Sequence, residues 1–408
     1  MSYSEDFIQK RRFIVNLGKA LHKYGAPAYR LEAHLREVSD TLGLRSSFMA
    51  TPTFLTFVLY ENEDHQEYNH ISRVEPGEID LGSLARIDLL VDEVISKQQT
   101  VLEATERLES IISNVGGYNK LLMFFAFGGA SGAFCVLMHT NWATVMWSAF
   151  MGLVVCLCTF LAEKSTRLKN VLEPLAALIA AFFLSLLALY DPSIDVPLAI
   201  LASIIIYIPG LALTIGLSEI AARNLVSGSA RVVDGVMSLF KLYFGALLGL
   251  ALAQLLWPAS AFSTTSIVPL WTVWIAVIVL ALSLIIIFRI RVNDITWAIL
   301  SAYIAFGVTY WSGLFLGSTL GAFCGALALG LYSNLFSRLQ NLPSSLVMLP
   351  GLFLLVPGSK VYIGLNQAVS GKVILATTDV GAQVFLIFMS LVGGLIFADA
   401  ILPTKKRL

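Results

Sequence analysis

Residues 121–408 of this 408-residue chain contain only 14 Lys/Arg and 9 Asp/Glu, so charge chemistry there falls to a handful of side chains. Glu219, Asp234 and Asp379 border long apolar runs and could each carry a proton; Arg223, Lys241 and Lys360 could balance them. Ionisable groups at membrane depth are costly, and those that persist mark ion or substrate paths. Glu219 and Arg223 stand four residues apart, the spacing of an ion pair on one helix face. Asp234 and Asp379 open apolar runs, where an aspartate can equally cap a helix.

A second kind of chemistry belongs to the backbone. Residues 206–231 read IYIPGLALTIGLSEIAARNLVSGSAR, and residues 347–372 read VMLPGLFLLVPGSKVYIGLNQAVSGK. Each passes from an apolar stretch through Pro-Gly-Leu to a polar helix with an Asn, then to Ser-Gly before a cation. Pro209-Gly210 pairs with Pro350-Gly351 at a separation of 141, and Ser227-Gly228 with Ser370-Gly371 at 143. Pro removes a donor and clashes with the preceding turn, while Gly tolerates unusual dihedrals. Together they interrupt a helix, and a freed helix N-terminus favours an anionic group such as a carboxylate. The expected substrate-binding set is therefore Pro209, Gly210, Thr214, Asn224, Pro350, Gly351 and Asn366. The expected coupling or charge-balancing set is Glu219, Arg223, Asp234, Lys241, Lys360 and Asp379.

These residues must be positioned by membrane helices. AVILMFWYC supply 57% of the chain and DEKR only 13%, about half the charge of an ordinary globular domain. Lys/Arg and Asp/Glu balance at 27 each, and the mean hydropathy is +0.78. That excludes intrinsic disorder and a nucleic-acid binder held by a basic surface. Ten apolar runs follow residue 120, at about 121–138, 143–161, 171–189, 196–216, 235–256, 268–288, 295–310, 314–333, 344–358 and 380–400. Most approach the about 20 residues a spanning helix needs. With the first span starting inside, twelve cations fall on the inner side, from Lys164 to the tail Lys405, Lys406 and Arg407. Lys360 and Lys372 alone fall outside; the bias favours both termini in the cytoplasm.

Five spans per half turn the second half upside down, so the paired Pro-Gly segments form an inverted-topology repeat. Such repeats build secondary transporters, with the site at paired interruptions. The expected fold is an α-helical polytopic membrane protein of ten transmembrane helices, a 5+5 inverted repeat, preceded by a small α+β cytoplasmic domain. Residues 1–117 would form that domain, 118–262 the first five-helix repeat and 263–408 the second. The first 120 residues hold 13 Lys/Arg and 18 Asp/Glu, and their periodicity gives a helix pair, three extended segments and another helix pair. Arg30 and Glu32 read as the solvated face of an amphipathic helix, with a substrate-facing patch as the alternative. The acidic domain should dock electrostatically on the basic inner face.

Other signals are structural or absent. Gly313, Gly317, Gly321 and Gly325 fall four apart, a pattern of close helix packing. Cys135, Cys156, Cys158 and Cys324 have no ligand or disulfide spacing, the five His have none either, and no P-loop occurs. No cofactor, metal or enzymatic activity is expected. The first twenty residues contain no long apolar core, so no cleavable signal peptide is expected.

The segment HKYGAPAYRLEAHL at 22–35, the Pro-Gly-Leu at 209–211 with Ser218-Glu219-Ile220-Ala221, and the five-plus-five plan resemble the threonine/serine exporter family, which includes fungal pheromone-regulated membrane proteins and two-chain bacterial pairs. The resemblance implies export of small amino acids such as threonine and serine, or of small dicarboxylates such as succinate, driven by an ion gradient. The leading expectation is a proton-coupled secondary exporter in the inner or plasma membrane, with an amino-acid substrate, the bilayer and a proton as partners and self-association left open. A passive small-solute channel is the alternative; a membrane-embedded enzyme or sensor is a third class.

Overall fold

A computed structural model describes residues 3–60, 67–75, 77, 79–114, 116–257, 267–358 and 380–405. The amino-terminal unit follows the expected order. Helices α1 (Glu5–Lys23) and α2 (Ala28–Thr41) precede strands β1 (Arg45–Ala50), β2 (Phe54–Tyr60) and β3 (Tyr68–Arg73), then α3 (Leu81–Ile95) and α4 (Val101–Ser113). The strands form an antiparallel sheet in the order β1-β2-β3, with Phe48 opposite Phe57 and Phe57 opposite His70. Phe13, Leu17, Leu21, Leu31, Leu35 and Phe57 are fully or almost fully buried between helices and sheet. Side-chain caps start three of the helices: Ser4 for α1, Asp80 for α3 and a Thr100–Glu103 capping box for α4.

His22 ties α1 to the segments that flank the sheet. Its Nε2 faces two carbonyl oxygens, Glu75 at 3.0 Å and Pro52 at 3.2 Å, so that nitrogen carries the proton. Burial pushes the imidazole below its ordinary value of about 6.5, against the opposing pull of the two carbonyls. A lowered folded pKa means stability present above the unfolded pKa and lost as pH falls through the folded one. The melting temperature should therefore drop on acidification below about pH 6.5, and more steeply than in His22→Gln. Identical acid profiles for the two proteins would remove His22 as the cause. Glu32 acts oppositely: burial raises its pKa despite the bond from Ala50 N–H, so its contribution is lost as pH rises.

After Asn119 the chain becomes long apolar helices. These are α5 (Lys120–Leu137), α6 (Trp142–Ala162), α7 (Thr166–Tyr190), α8 (Val196–Ser203), α9 (Gly210–Ala221) and α10 (Leu225–Leu256). There follow α11 (Thr272–Ile287), α12 (Ile295–Gln340), α13 (Ser345–Leu355) and α14 (Val380–Ile401). Among the described residues six helices are long and apolar enough to cross a membrane, and seven if the bent pair α8–α9 is one span. The chain is a mostly helical, polytopic membrane protein.

The stretch 295–340 is not one straight rod. Gly317 adopts φ 83° and ψ 168°, a conformation other residues resist, and breaks α12 into two arms. The arms pack against each other: a Cβ on Gly321 would stand 2.8 Å from Gly313 Cα, and one on Gly325 would collide with Thr309. The glycine series thus makes a turn and a seam. Glycines also seat α10 on α7, where Gly245 and Gly249 face the carbonyls of Pro174 and Leu178. Gly330 and Gly394 do the same between the second arm of α12 and α14, against Ala398 and Phe323.

The amino-terminal unit is bonded into the membrane helices rather than resting on them. Leu81 N–H donates to Phe288 O at 3.0 Å, Tyr118 Oη donates to Ile290 O at 2.7 Å, and Arg289 pairs with buried Asp80 at 3.3 Å. Gly82 sits so close to Arg289 O that no Cβ would fit. Charge enters this docking through the Arg289–Asp80 pair, alongside the hydrogen bonds from Leu81 and Tyr118 to the end of α11 and the turn after it.

Candidate functional site

The fourth apolar run breaks as expected. Helix α8 ends at Ser203, a 3-10 turn follows, and Ile208 turns extended (φ −66°, ψ 118°) before α9 begins at Gly210. The bend between the two pieces is 59°.

The ninth run breaks elsewhere than expected. Pro350 lies inside α13, which continues to Leu355, and Gly351 packs against Leu329 and Ser301 O. The helix stops where Val356 turns extended (φ −66°, ψ 129°) before Pro357-Gly358. Val356 thus repeats the backbone of Ile208, and both precede Pro-Gly. The two breaks touch: a Cβ on Gly210 would meet Val356 Cγ1 at 2.5 Å, and one on Gly358 would meet Ile208 Cγ2 at 2.9 Å. A cavity of about 180 Å³ opens beside them, walled by Phe134, Phe306 and Phe353. Pro209 and Pro357 are 148 apart, and at that offset Ile215-Gly216-Leu217 repeats as Ile363-Gly364-Leu365. That repeat is present in the sequence; the more conspicuous Pro-Gly-Leu at 350–352 conceals it.

Two turns beyond the first break lies Glu219, with no solvent exposure. Its partner is not Arg223. Helix α9 ends at Ala221, and Arg223 has φ 65° in an exposed turn, so the helical i,i+4 geometry is lost. Arg231, near the start of α10, takes the pair instead, with Nε and an Nη each donating at 3.3 Å. Ser227 Oγ donates to the same carboxylate at 3.0 Å. The fourth donor comes from the other unit: Ala28 N–H, the first residue of α2, reaches Glu219 Oε1 at 2.9 Å. Pro27 cannot supply a side-chain cap, and a membrane-helix carboxylate caps α2 in its place.

The remaining expected residues scatter. Thr214 is buried, its hydroxyl donating to Gly210 O at 3.0 Å within α9. Asn224 is half-buried where α10 begins. Asp234 caps nothing, because α10 starts at Leu225; it is exposed, more than two turns into the helix. Lys241 pairs with Glu173 of α7 at 3.3 Å, and Ser238 Oγ donates to the same carboxylate at 3.0 Å. Glu173 escapes sequence reasoning because it resembles an ordinary charge at the start of a run. Lys360, Asn366 and Asp379 lie outside the described residues.

Arg30 corrects the solvated-face reading: it is 7% exposed and donates to Ser344 Oγ at 3.0 Å and to Tyr29 Oη at 3.2 Å. It lines a cavity of about 270 Å³ between the α2 start and α9, α12, α13 and α14. On the far side Asn334 Nδ2 donates to Asp399 Oδ1 at 2.7 Å.

Helices broken within apolar runs, touching at their breaks and flanked by a buried acid, belong here to a polytopic membrane protein, and paired interruptions of this kind mark the binding sites of secondary transporters. Comparison with known sequences agrees: a family model for a threonine/serine exporter, ThrE, matches residues 12–253, and a second, "Threonine/Serine exporter, ThrE", matches residues 273–401. The chain belongs to the threonine/serine exporter family. Similar proteins include the "Pheromone-regulated membrane protein 10" of Eremothecium gossypii, 29% identical over 86% of this chain and 48% of the relative. Those of Candida glabrata and Saccharomyces cerevisiae are 27% and 25% identical, over 86% of this chain and 46% of each relative. The chain thus spans about half the length of the curated relatives it matches. No solved structure matches.

Proposed function

We propose that the chain is a secondary active exporter of threonine and serine, exchanging the amino acid for a proton carried by Glu219. In this reading two five-span halves of opposite orientation lie in the plasma or inner membrane, with the amino-terminal unit and both termini cytoplasmic. The carrying observation is Glu219, a carboxylate with no solvent exposure that joins α9, α10 and α2 through four hydrogen bonds.

Ionised, Glu219 accepts from Arg231, Ser227 and Ala28. Protonated, it loses its charge-assisted bonds to Arg231 and its attraction for the α2 start. A single proton thereby loosens the inner end of the broken span, and the touching glycines offer a low-friction pivot for the two breaks. The matching backbone at Ile208 and Val356, and the glycine seams joining α10 to α7 and α14 to α12, support the two-half plan. In sequence the 148-residue offset sets Gln367 opposite Glu219, which favours a single proton carrier. The close contact of the breaks disfavours a permanently open channel.

The test is uphill flux in proteoliposomes. An imposed pH gradient should drive threonine against its own gradient through the wild type. Glu219→Gln should lose at least about tenfold of that driven flux while still exchanging threonine for threonine. Unchanged driven flux in Glu219→Gln would remove this residue from the coupling, and dissipation only down the amino-acid gradient in the wild type would reject secondary transport.

A further inference from the structure

The cavity beneath the α2 start has chemistry that neither the breaks nor Glu219 use. At one side stands the Arg30 guanidinium, buried and steadied by Ser344 and Tyr29. At another stands the Asp399 carboxylate, oriented by Asn334 and exposed, so that it marks the mouth. Both charges line the same cavity. Ser345 Oγ, also lining the cavity, is buried without a hydrogen-bond partner among the described residues. Much of the remaining wall is apolar, with Met348, Leu352 and Leu395.

We propose that this cavity binds a small α-amino acid as its zwitterion, with the carboxylate on Arg30 and the ammonium on Asp399. The guanidinium fork suits a carboxylate, and the Asp399 oxygens accept from an ammonium. Ser345 offers a partner to a side-chain hydroxyl. A cavity of about 270 Å³ has room for an amino acid of serine or threonine size. A dicarboxylate would set its second anion against Asp399, so the arrangement selects against that class as well as for the zwitterion. The proposal rests on the exporter reading and adds that the amino-terminal unit supplies half of a cytoplasm-facing substrate site.

The test uses the purified full-length chain, with ligand binding read by calorimetry and by the rise in melting temperature. Probes are L-serine, glycerate (no ammonium), serinol (no carboxylate) and succinate. L-serine should bind at least about tenfold more tightly than the other three. Arg30→Gln should erase the preference of serine over serinol, and Asp399→Asn the preference of serine over glycerate. If Arg30→Gln fails to fold, Asp399→Asn and the cavity-filling Met348→Trp carry the test, and Met348→Trp should abolish serine binding. Folded Asp399→Asn with unchanged selectivity would overturn the site, as would a wild type that binds no serine. Threonine flux measured in parallel separates the two claims. Flux with wild-type behaviour in these variants leaves the exporter standing and rejects this site; serine binding with the predicted selectivity but no flux keeps the site and rejects the exporter.

Discussion

Glu219→Ala should be the most damaging single truncation of a polar side chain among the described residues. It removes one acceptor and strands three sets of donors: Arg231, Ser227 and the Ala28 N–H. Breaking a buried ion pair from one side costs about 3–5 kcal/mol. The Arg231 side chain keeps 21% exposure and can partly rehydrate, so the lower end of that range, about 3 kcal/mol, is the expected loss. Glu219→Gln should lose less, since an amide oxygen still accepts from Ala28. Pairing Glu219→Gln with Arg231→Met should recover stability relative to Glu219→Gln alone, because no uncompensated charge remains. Unfolding in mixed detergent micelles checks the series; Glu219→Ala as stable as Glu219→Gln would mean that the carboxylate cluster does not hold the two units together.

Gly245→Val should prevent α10 from seating on α7. At Gly245 a Cβ would collide with the backbone oxygen of Pro174, and one turn on the same holds for Gly249 and Leu178. Backbone cannot rotate aside as a side chain can, so the helices must separate. Overpacking a core costs about 1–3 kcal/mol and occasionally more; here the separation also breaks the Glu173–Lys241 and Glu173–Ser238 contacts. Gly313→Ala is the contrast: nothing lies within 4 Å of the added carbon, and it should be tolerated. Disulfide trapping between cysteines placed on α7 and α10 would report the seating. Trapping of Gly245→Val at the wild-type rate would show that this close approach is dispensable.

Much of the architecture is legible from periodicity. The helix pair, sheet and helix pair appear where alternation and 3.6-residue spacing put them, because the helices and the first two strands bury an apolar face, while β3 is held by its pairing to β2. Pro209-Gly210 is legible because the helix stops just before it. Pro350 misleads for a physical reason: α13 tolerates it and runs on to Leu355. The break comes instead where an extended residue, Val356, precedes Pro357-Gly358, as Ile208 precedes Pro209-Gly210. Glu219 stands out in the sequence, but its partner does not, since pairing with Arg223 assumes a helix that in fact ends at Ala221. Arg30 reads as a surface charge because Ser344, which holds it in the interior, lies 314 positions away. Local patterns reveal which face of a helix is apolar; they do not reveal what a distant segment will lay upon its polar end.

Those distant bonds also set an order in time. Ala28 reaches a partner 191 residues later, and Arg30 one 314 residues later. As the chain leaves the ribosome, the α+β unit is complete long before its acceptors exist. The start of α2 therefore stays uncapped until α9 has been made, and Arg30 lacks its Ser344 partner until the segment before α13 arrives. Complete docking of the unit needs segments as far along the chain as Ser344.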